Sequence, residues 1–117
     1  MIHKDMLTKC NTKSILNSNQ TTCISDDIEF EWDDEKEASN VKKHGLDFTI
    51  AARVFADPNR LEIYDEKHSI DEDRYNTIGM VEKIIFVVYT ERNDAVRIIS
   101  ARLANEDEME VYLHGKD

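Results

Sequence analysis

The stretch KIIFVVYTERNDAVRIISAR, residues 83–102, decides the fold of this chain. Its first part, residues 83–91, is almost continuously apolar, which is typical of a strand that is covered on both faces. Residues 92–94 then supply polar, turn-forming side chains, and residues 95–102 return to a mainly apolar pattern. The stretch therefore predicts a central hairpin of two antiparallel strands.

Two more strands are predicted before this hairpin. Residues 61–65 alternate between apolar and polar side chains, as a half-buried strand does. Residues 74–80 form a further strand, which we expect to close at Gly79. Because consecutive strands joined by short connections usually pair, these four strands are predicted to form an antiparallel meander.

Two helices are predicted before these strands and one after them. Asp33 is a good N-cap for the first helix, and Gly45 suits the left-handed residue that follows a helix end. Asp47 opens the second helix, and Asn105 caps the last one. With a short strand at residues 30–32, the order is β-α-α-β-β-β-β-α. Helices and strands that are segregated along the chain predict an α+β fold, with the helices against one face of the sheet.

The beginning of the chain differs in composition from the rest. In residues 8–25, eleven of eighteen residues are Ser, Thr, Asn or Gln, which leaves little apolar surface to bury. We therefore expect residues 1–28 to form a polar, flexible N-terminal extension and residues 29–117 to form the domain. Cys10 and Cys23 both lie in the extension, where they are able to pair, but two free thiols are the expectation.

The charge balance narrows the classes of function. Lys and Arg total 15 against 25 Asp and Glu, so the net charge is −10. Such a charge repels RNA and argues against a nucleic-acid binder unless positive charge is gathered locally. Apolar runs are far shorter than the roughly 20 residues of a membrane helix, and the N-terminus lacks the apolar stretch of a signal peptide. We expect a cytoplasmic protein with no membrane contact, no cofactor and no metal site.

The basic side chains of the first predicted helix are candidates for a binding surface. Lys36, Asn40 and Lys43 follow each other at i, i+4 and i+7, which predicts a polar ridge along one side of the helix. His44 lies beside the end of this ridge.

A second set of candidates is the arginines of the predicted sheet, namely Arg74, Arg92, Arg97 and Arg102. Arg97 and Arg102 are five residues apart, so strict alternation places them on opposite faces unless a bulge or the strand end intervenes. On the pattern alone, ordinary surface ion pairs with the many carboxylates are favoured over phosphate binding.

Three other residues each allow two interpretations. His44 suits acid–base catalysis near neutral pH, but a histidine in the last turn of a helix more often stabilises the helix end. Glu91 suits a general base, but an acidic residue before a turn is commonly only solvated. Trp32 suits stacking on a nucleic-acid base, but a strand tryptophan beside Phe30 is more often packed in the core.

Together these residues resemble the BrnT family, toxins of type II toxin–antitoxin systems. The resemblance covers residues 29 to about 112. In the first half it rests on FEWD (30–33), Lys36, Asn40, KHG (43–45), Phe48, Ala51 and VFADP (54–58). In the second half it rests on RY (74–75), IG (78–79), VVYTER (87–92) and RIISAR (97–102).

The resemblance implies a fold, an activity and a partner. The fold is RelE-like, a small antiparallel sheet with two N-terminal helices and one C-terminal helix. The activity is RNA cleavage without a metal ion, which arrests growth. The partner is a BrnA-type antitoxin, a ribbon-helix-helix protein that forms a two-plus-two heterotetramer with the toxin. The complex represses its own operon, and it meets operator DNA only through the antitoxin.

RNA cleavage without a metal needs a group that removes the 2′-hydroxyl proton and cations that stabilise charge on the phosphoryl oxygens. With the resemblance, we expect Arg74 and Arg102 to be the catalytic cations. His44 or Glu91 is the expected acid–base group. The residues expected to bind RNA or its phosphates are Lys36, Lys43, Arg92, Arg97 and Trp32.

The chain departs from the family pattern after the RIISAR segment. Residues 106–108 are acidic, in a region where members usually carry basic residues. With the net charge of −10, this departure favours an alternative function. In the alternative, the chain is a catalytically weak or inactive relative that mainly binds the antitoxin and regulates the operon.

Overall fold

Seven strands and three helices form the part of the chain that the computed structural model describes, residues 9–15 and 18–115, with side chains from residue 19. The strands are β1 (Lys9–Ile15), β2 (Ser18–Ser25), β3 (Ile28–Asp33), β4 (Leu61–Tyr64), β5 (Tyr75–Val81), β6 (Lys83–Arg92) and β7 (Ala95–Leu103). The helices are α1 (Asp34–His44), α2 (Phe48–Val54) and α3 (Glu106–His114). None of these described helices has the length and apolar character needed to cross a bilayer.

The strands form one sheet in the order β1-β2-β3-β7-β6-β5-β4. Every neighbouring pair is antiparallel except β3 and β7, which run parallel. The predicted hairpin is confirmed as β6 and β7, and the predicted meander is confirmed as the run from β4 to β7. The α+β class is therefore confirmed, with two strands more than the sequence pattern indicated.

The helix ends are where the capping residues place them. The side chain of Asp33 accepts a hydrogen bond at the start of α1, and Gly45 follows its end with φ of 73°. Asp47 caps α2 in the same way. Asn105 and Glu108 form a reciprocal capping box at the start of α3. These ends depend on contacts within four residues, which is why local sequence predicts them.

The N-terminal segment contains regular structure that the composition did not indicate. β1 and β2 form an antiparallel pair, and β2 continues the sheet next to β3. Cys23 is fully buried and disulfide-bonded, so the expectation of two free thiols is wrong. The only other cysteine, Cys10, faces Cys23 across the backbone register of β1 and β2. Residues 1–8 of the expected extension lie outside the described residues, and the boundary at residue 28 stays a prediction.

The hydrophobic core lies between the sheet and the first two helices. Its buried members from α2 are Phe48, Ala51, Ala52 and Val54, and those from the central strands are Ile85, Val87, Ile98 and Ala101. We call the face that carries these strand residues the helix-packed face. Because side chains alternate along a strand, Phe86, Val88, Ser100 and Arg102 lie on the opposite face, which we call the outer face.

Gly79 has a different role from the strand end that the sequence pattern indicated. β5 continues through it to Val81. A Cβ atom at Gly79 would lie 2.7 Å from Cγ1 of Val54 and 3.2 Å from Cβ of Arg60. The missing side chain therefore allows the end of α2 to approach the sheet closely.

Candidate functional site

A bulge brings Arg97 and Arg102 to the same face of the sheet. In the pairing of β6 with β7, Tyr89 lies opposite Ile98 and Val88 lies opposite Ser100, so Ile99 is an extra residue. Arg97 and Arg102 are five positions apart, so strict alternation would place them on opposite faces. The extra residue shifts the alternation by one position between them. Both guanidinium groups therefore belong to the outer face.

Arg74 and Arg92 lie on the outer face as well. Arg74 precedes β5 and lines a cavity with Asn76 and Val88 of that face. The segment between β4 and β5 folds over β6, because the Thr90 hydroxyl donates to the Asp73 carbonyl and Glu72 pairs with Arg92. All four predicted arginines are thus gathered on one surface of the molecule.

Glu72 contacts Arg92 and is influenced by the charges of two more of these arginines. Its pKa is lowered first by the hydrogen bonds from Arg92 and also by the charges of Arg92, Arg74 and Arg97. The guanidinium of Arg92 donates two hydrogen bonds to this carboxylate, each 3.1 Å long. The surface therefore gathers guanidinium groups, together with carboxylates, although the whole chain is strongly acidic.

Three of the four arginines have a glutamate partner. Besides the pair of Arg92 with Glu72, Nη1 of Arg97 donates to Glu31 at 2.9 Å. Arg102 donates two hydrogen bonds to Glu108 of α3, at 2.8 and 2.9 Å. This contact lowers the pKa of Glu108 and raises that of Arg102. The ion pairs that the residue pattern favoured are therefore present at Arg92, Arg97 and Arg102.

Arg74 differs from the other three arginines. Its guanidinium forms no hydrogen bond and no ion pair with any residue whose side chain the structure describes. Together with Arg102 it lines an outer-face cavity of about 390 Å³. Asn76 lines the same cavity, and its buried Oδ1 atom has no hydrogen-bond partner. The cavity thus offers one cation and one polar group that the described part of the chain leaves unpaired.

His68 and Asp65 also line this cavity, and neither was a candidate from the sequence pattern. Nδ1 of His68 lies 2.9 Å from Oδ2 and 3.1 Å from Oδ1 of Asp65. The signal available in the sequence was the spacing D-x-x-H in a segment between two strands. That spacing is common in turns, so only the position of the segment over the sheet makes it relevant.

The predicted acid–base residues lie elsewhere. His44 is exposed and lines a separate cavity with Arg53, Glu82 and Lys83. Glu91 is exposed at the β6–β7 turn and lines another small cavity beside Asn93. Neither residue lines the cavity that contains Arg74 and Arg102.

The predicted RNA-binding residues of the first half are also apart from the arginines. Lys36 and Lys43 are exposed on α1, which packs on the helix-packed face. Trp32 is 1% exposed, packs edge-to-face on Phe48 and donates to Glu37, so stacking on an RNA base is wrong for this structure. Asn40 is buried and therefore does not continue the polar ridge between the two lysines.

The two arginines of the outer-face cavity are groups that can bind an anion, and they lie beside the carboxylate of Asp65 and the Oδ1 acceptor of Asn76. A guanidinium stays charged and can donate two parallel hydrogen bonds to a phosphate. Arg74 is available for such a contact, whereas Arg102 has to release Glu108 before it can bind a phosphate.

Within residues 9–15 and 18–115, no group of three or more His, Cys, Asp or Glu residues has an arrangement that could hold a metal ion.

Comparisons with known proteins agree with the resemblance noted from the sequence. The family model of the ribonuclease toxin BrnT of type II toxin–antitoxin systems matches residues 32–108. The crystal structure of the Brucella abortus ribonuclease toxin BrnT is similar, with a TM-score of 0.52 and 29% identity over 64% of this chain and 94% of that chain. A comparison with curated proteins gives no match. Because the family model matches more than half of the chain, this protein belongs to the BrnT family of ribonuclease toxins.

Proposed function

We propose that this chain is a metal-independent endoribonuclease that cleaves RNA and arrests growth. The observation that carries the proposal is the gathering of four arginines on the outer face, with Arg74 left without an ion-pair partner among the described side chains. A local group of guanidinium groups can bind a phosphodiester even when the net charge is negative, because the contacts are short and partly shielded from salt. A RelE-like architecture is part of this proposal.

In the proposed reaction, the ribose 2′-oxygen attacks the adjacent phosphorus. Arg74 and Arg102 stabilise the charge that develops on the phosphoryl oxygens, since both line the same cavity. Arg92 and Arg97 bind neighbouring phosphates along the outer face. The roles of His44 and Glu91 in proton transfer stay predictions, as do contacts of Lys36 and Lys43 with RNA.

The partner in this proposal is a BrnA-type ribbon-helix-helix antitoxin in a two-plus-two heterotetramer. Membership of a type II toxin family implies an antitoxin. The antitoxin neutralises the toxin, and the complex reaches operator DNA through the antitoxin alone. Co-expression with the protein encoded by the adjacent reading frame, followed by size measurement of the purified complex, tests this part.

A second function is favoured by a specific observation. Three of the arginines that RNA would need already form ion pairs with glutamates, namely Glu72, Glu31 and Glu108. The net charge of the chain is −10. A relative that has lost cleavage and is retained for antitoxin binding and operon control would show this pattern. Expressing the chain alone in a bacterial host separates the two functions, because only a nuclease stops growth and shortens RNA.

Arg74→Gln is the sharpest variant for testing the nuclease. Arg53→Gln is the matched control, because it removes the same charge from the exposed surface of α2. We expect Arg74→Gln to lower the cleavage rate of a single-stranded RNA by about 100-fold, the usual cost of losing one group that stabilises the transition state. Arg53→Gln should leave the rate within about threefold of the wild-type value, the range expected for a surface substitution. Equal rates for both variants would contradict the proposed site.

A further inference from the structure

We infer that His68 is the general base of RNA cleavage and that Asp65 positions it. This inference rests on the proposed nuclease function and adds the proton acceptor that the arginines cannot supply. It is carried by the juxtaposition of a histidine–carboxylate pair with Arg74 and Arg102 in one cavity.

The loop between β4 and β5 is held in a defined conformation. The N–H of Asp65 donates to the carbonyl of Arg74 at 2.9 Å, which extends the pairing of Tyr64 with Tyr75 by one step. The Ser69 hydroxyl donates to the Asp65 carbonyl at 2.6 Å and accepts from the N–H of Arg74 at 2.9 Å. These contacts place Asp65 directly across from Arg74 at the base of the loop.

Asp65 orients the imidazole of His68. Its carboxylate accepts from Nδ1, and it also accepts from the backbone N–H of His68 at 3.3 Å. A carboxylate on Nδ1 selects the tautomer in which Nε2 carries the lone pair, so Nε2 is the atom able to accept a proton. Nε2 has no hydrogen bond within the described residues, and the side chain is 59% exposed, so a ribose hydroxyl can reach it.

The charged groups around this imidazole suit the reaction. Asp65 carries the charge that stabilises an imidazolium after proton transfer, as in other histidine–carboxylate pairs. Arg74 and Arg102 line the same cavity and supply the positive charge for the phosphate. A phosphodiester bound by these arginines therefore lies beside Nε2. His44 and Glu91 line other cavities, which contain neither Arg74 nor Arg102.

Nε2 of His68 takes the 2′-hydroxyl proton while the 2′-oxygen forms a bond to phosphorus. The bond from phosphorus to the 5′-oxygen of the next nucleotide breaks, and that oxygen takes a proton from water in the open cavity. The products are an RNA with a 2′,3′-cyclic phosphate and an RNA with a 5′-hydroxyl. His68 then returns its proton to solvent.

The test compares single-turnover cleavage by the purified full chain with that by His68→Ala, Asp65→Asn and His114→Ala. The substrate is a labelled single-stranded RNA, and binding is measured with the all-2′-deoxy form, which has no attacking hydroxyl. His114 lies at the end of α3 and serves as the matched control. We expect His68→Ala to cleave at least about 100-fold more slowly, the usual contribution of a general base, with unchanged binding. Asp65→Asn should lose about tenfold in rate, again without a change in binding.

Added imidazole provides a second measurement that a merely structural role of His68 would not affect. It should restore part of the activity of His68→Ala and none of that of Arg74→Gln. Equal cleavage by His68→Ala and His114→Ala, or loss of activity in His44→Ala alone, overturns the inference while leaving the nuclease in place. A wild-type chain that leaves the RNA intact overturns the proposed nuclease function itself.

Discussion

At the residue scale, the amide of Asn40 takes the place of a neighbouring strand. β7 pairs with β3 only at Val96 and Arg97. Beyond Arg97, the edge of β7 on the β3 side therefore has no neighbouring strand. There, Oδ1 of Asn40 accepts from the N–H of Ala101 at 3.1 Å, and Nδ2 donates to its carbonyl at 2.8 Å. Nδ2 also donates to the Leu46 carbonyl at 3.0 Å. One buried side chain thereby joins α1, the following turn and β7.

Asn40→Ala should therefore destabilise the fold. The substitution leaves the buried N–H and C=O of Ala101 without partners, and we expect a loss of about 3 kcal/mol in the free energy of unfolding. Asn59→Ala is the control, because Asn59 is exposed and its side chain forms no hydrogen bond with the described residues; it should change stability by less than about 0.5 kcal/mol. Urea denaturation at neutral pH measures both. Similar midpoints for the two variants would refute the anchoring role.

At the scale of elements, α3 is attached to the sheet by polar contacts. It has no buried residue. The carboxylate of Glu108 accepts from the N–H of Asn105 at 2.9 Å, which caps the helix, and from Arg102, which ties the helix to β7. The Tyr112 hydroxyl donates to Asp57 at 2.6 Å, and burial together with this contact raises the pKa of Tyr112 to about 12. Glu108 belongs to the acidic stretch that departs from the family pattern. This stretch thus forms an ion pair with Arg102, a proposed catalytic arginine.

Glu108→Gln should strengthen RNA binding. Glutamine keeps the capping box, because it can still accept from the helix start, but it no longer neutralises Arg102. We expect RNA to bind about five- to tenfold more tightly, the order of the net contribution of one ordinary hydrogen bond. Fluorescence anisotropy with a 2′-deoxy oligonucleotide measures this change.

Glu106→Gln is the control for this prediction. Glu106 is exposed in the first turn of the same helix, and its substitution changes the net charge by the same amount. Equal effects of the two substitutions would mean that only net charge matters and that Arg102 is not part of the RNA site.

At the scale of the whole molecule, two electrostatic effects oppose each other. The net charge of −10 repels RNA at distance, whereas the outer-face arginines attract a phosphate at contact. The Debye length is about 10 Å at 0.1 M salt, so salt weakens the distant repulsion more than the contacts inside a cavity.

RNA association should therefore respond to salt in the opposite sense from that of a basic nucleic-acid binder. Between 50 and 200 mM salt, we expect the association rate constant to stay the same or to rise, since screening removes a repulsion. Stopped-flow mixing with a labelled RNA measures it. A steep fall with salt would show that a positive surface field, and not the local arginines, governs capture.

Helix ends, five of the seven described strands and the central hairpin could be predicted from the chain alone. Asp33 and Gly45 form contacts within a few residues of their own positions, and the apolar run of β6 is visible without any partner. The arginines could be named as candidates for the same reason, because residue type and motif spacing are local properties. The BrnT resemblance depended on these local motifs, and the family match confirmed it.

The arrangement of the site was a matter of tertiary structure. Whether Arg97 and Arg102 share a face depends on the extra residue in the pairing of β7 with β6. The partner of Arg97 is Glu31, 66 positions away along the chain. The proximity of His68 to Arg102 likewise depends on how a loop folds over distant strands. Such contacts join residues that are remote in the chain, and their free energy is set by register and packing, which no short stretch of residues contains.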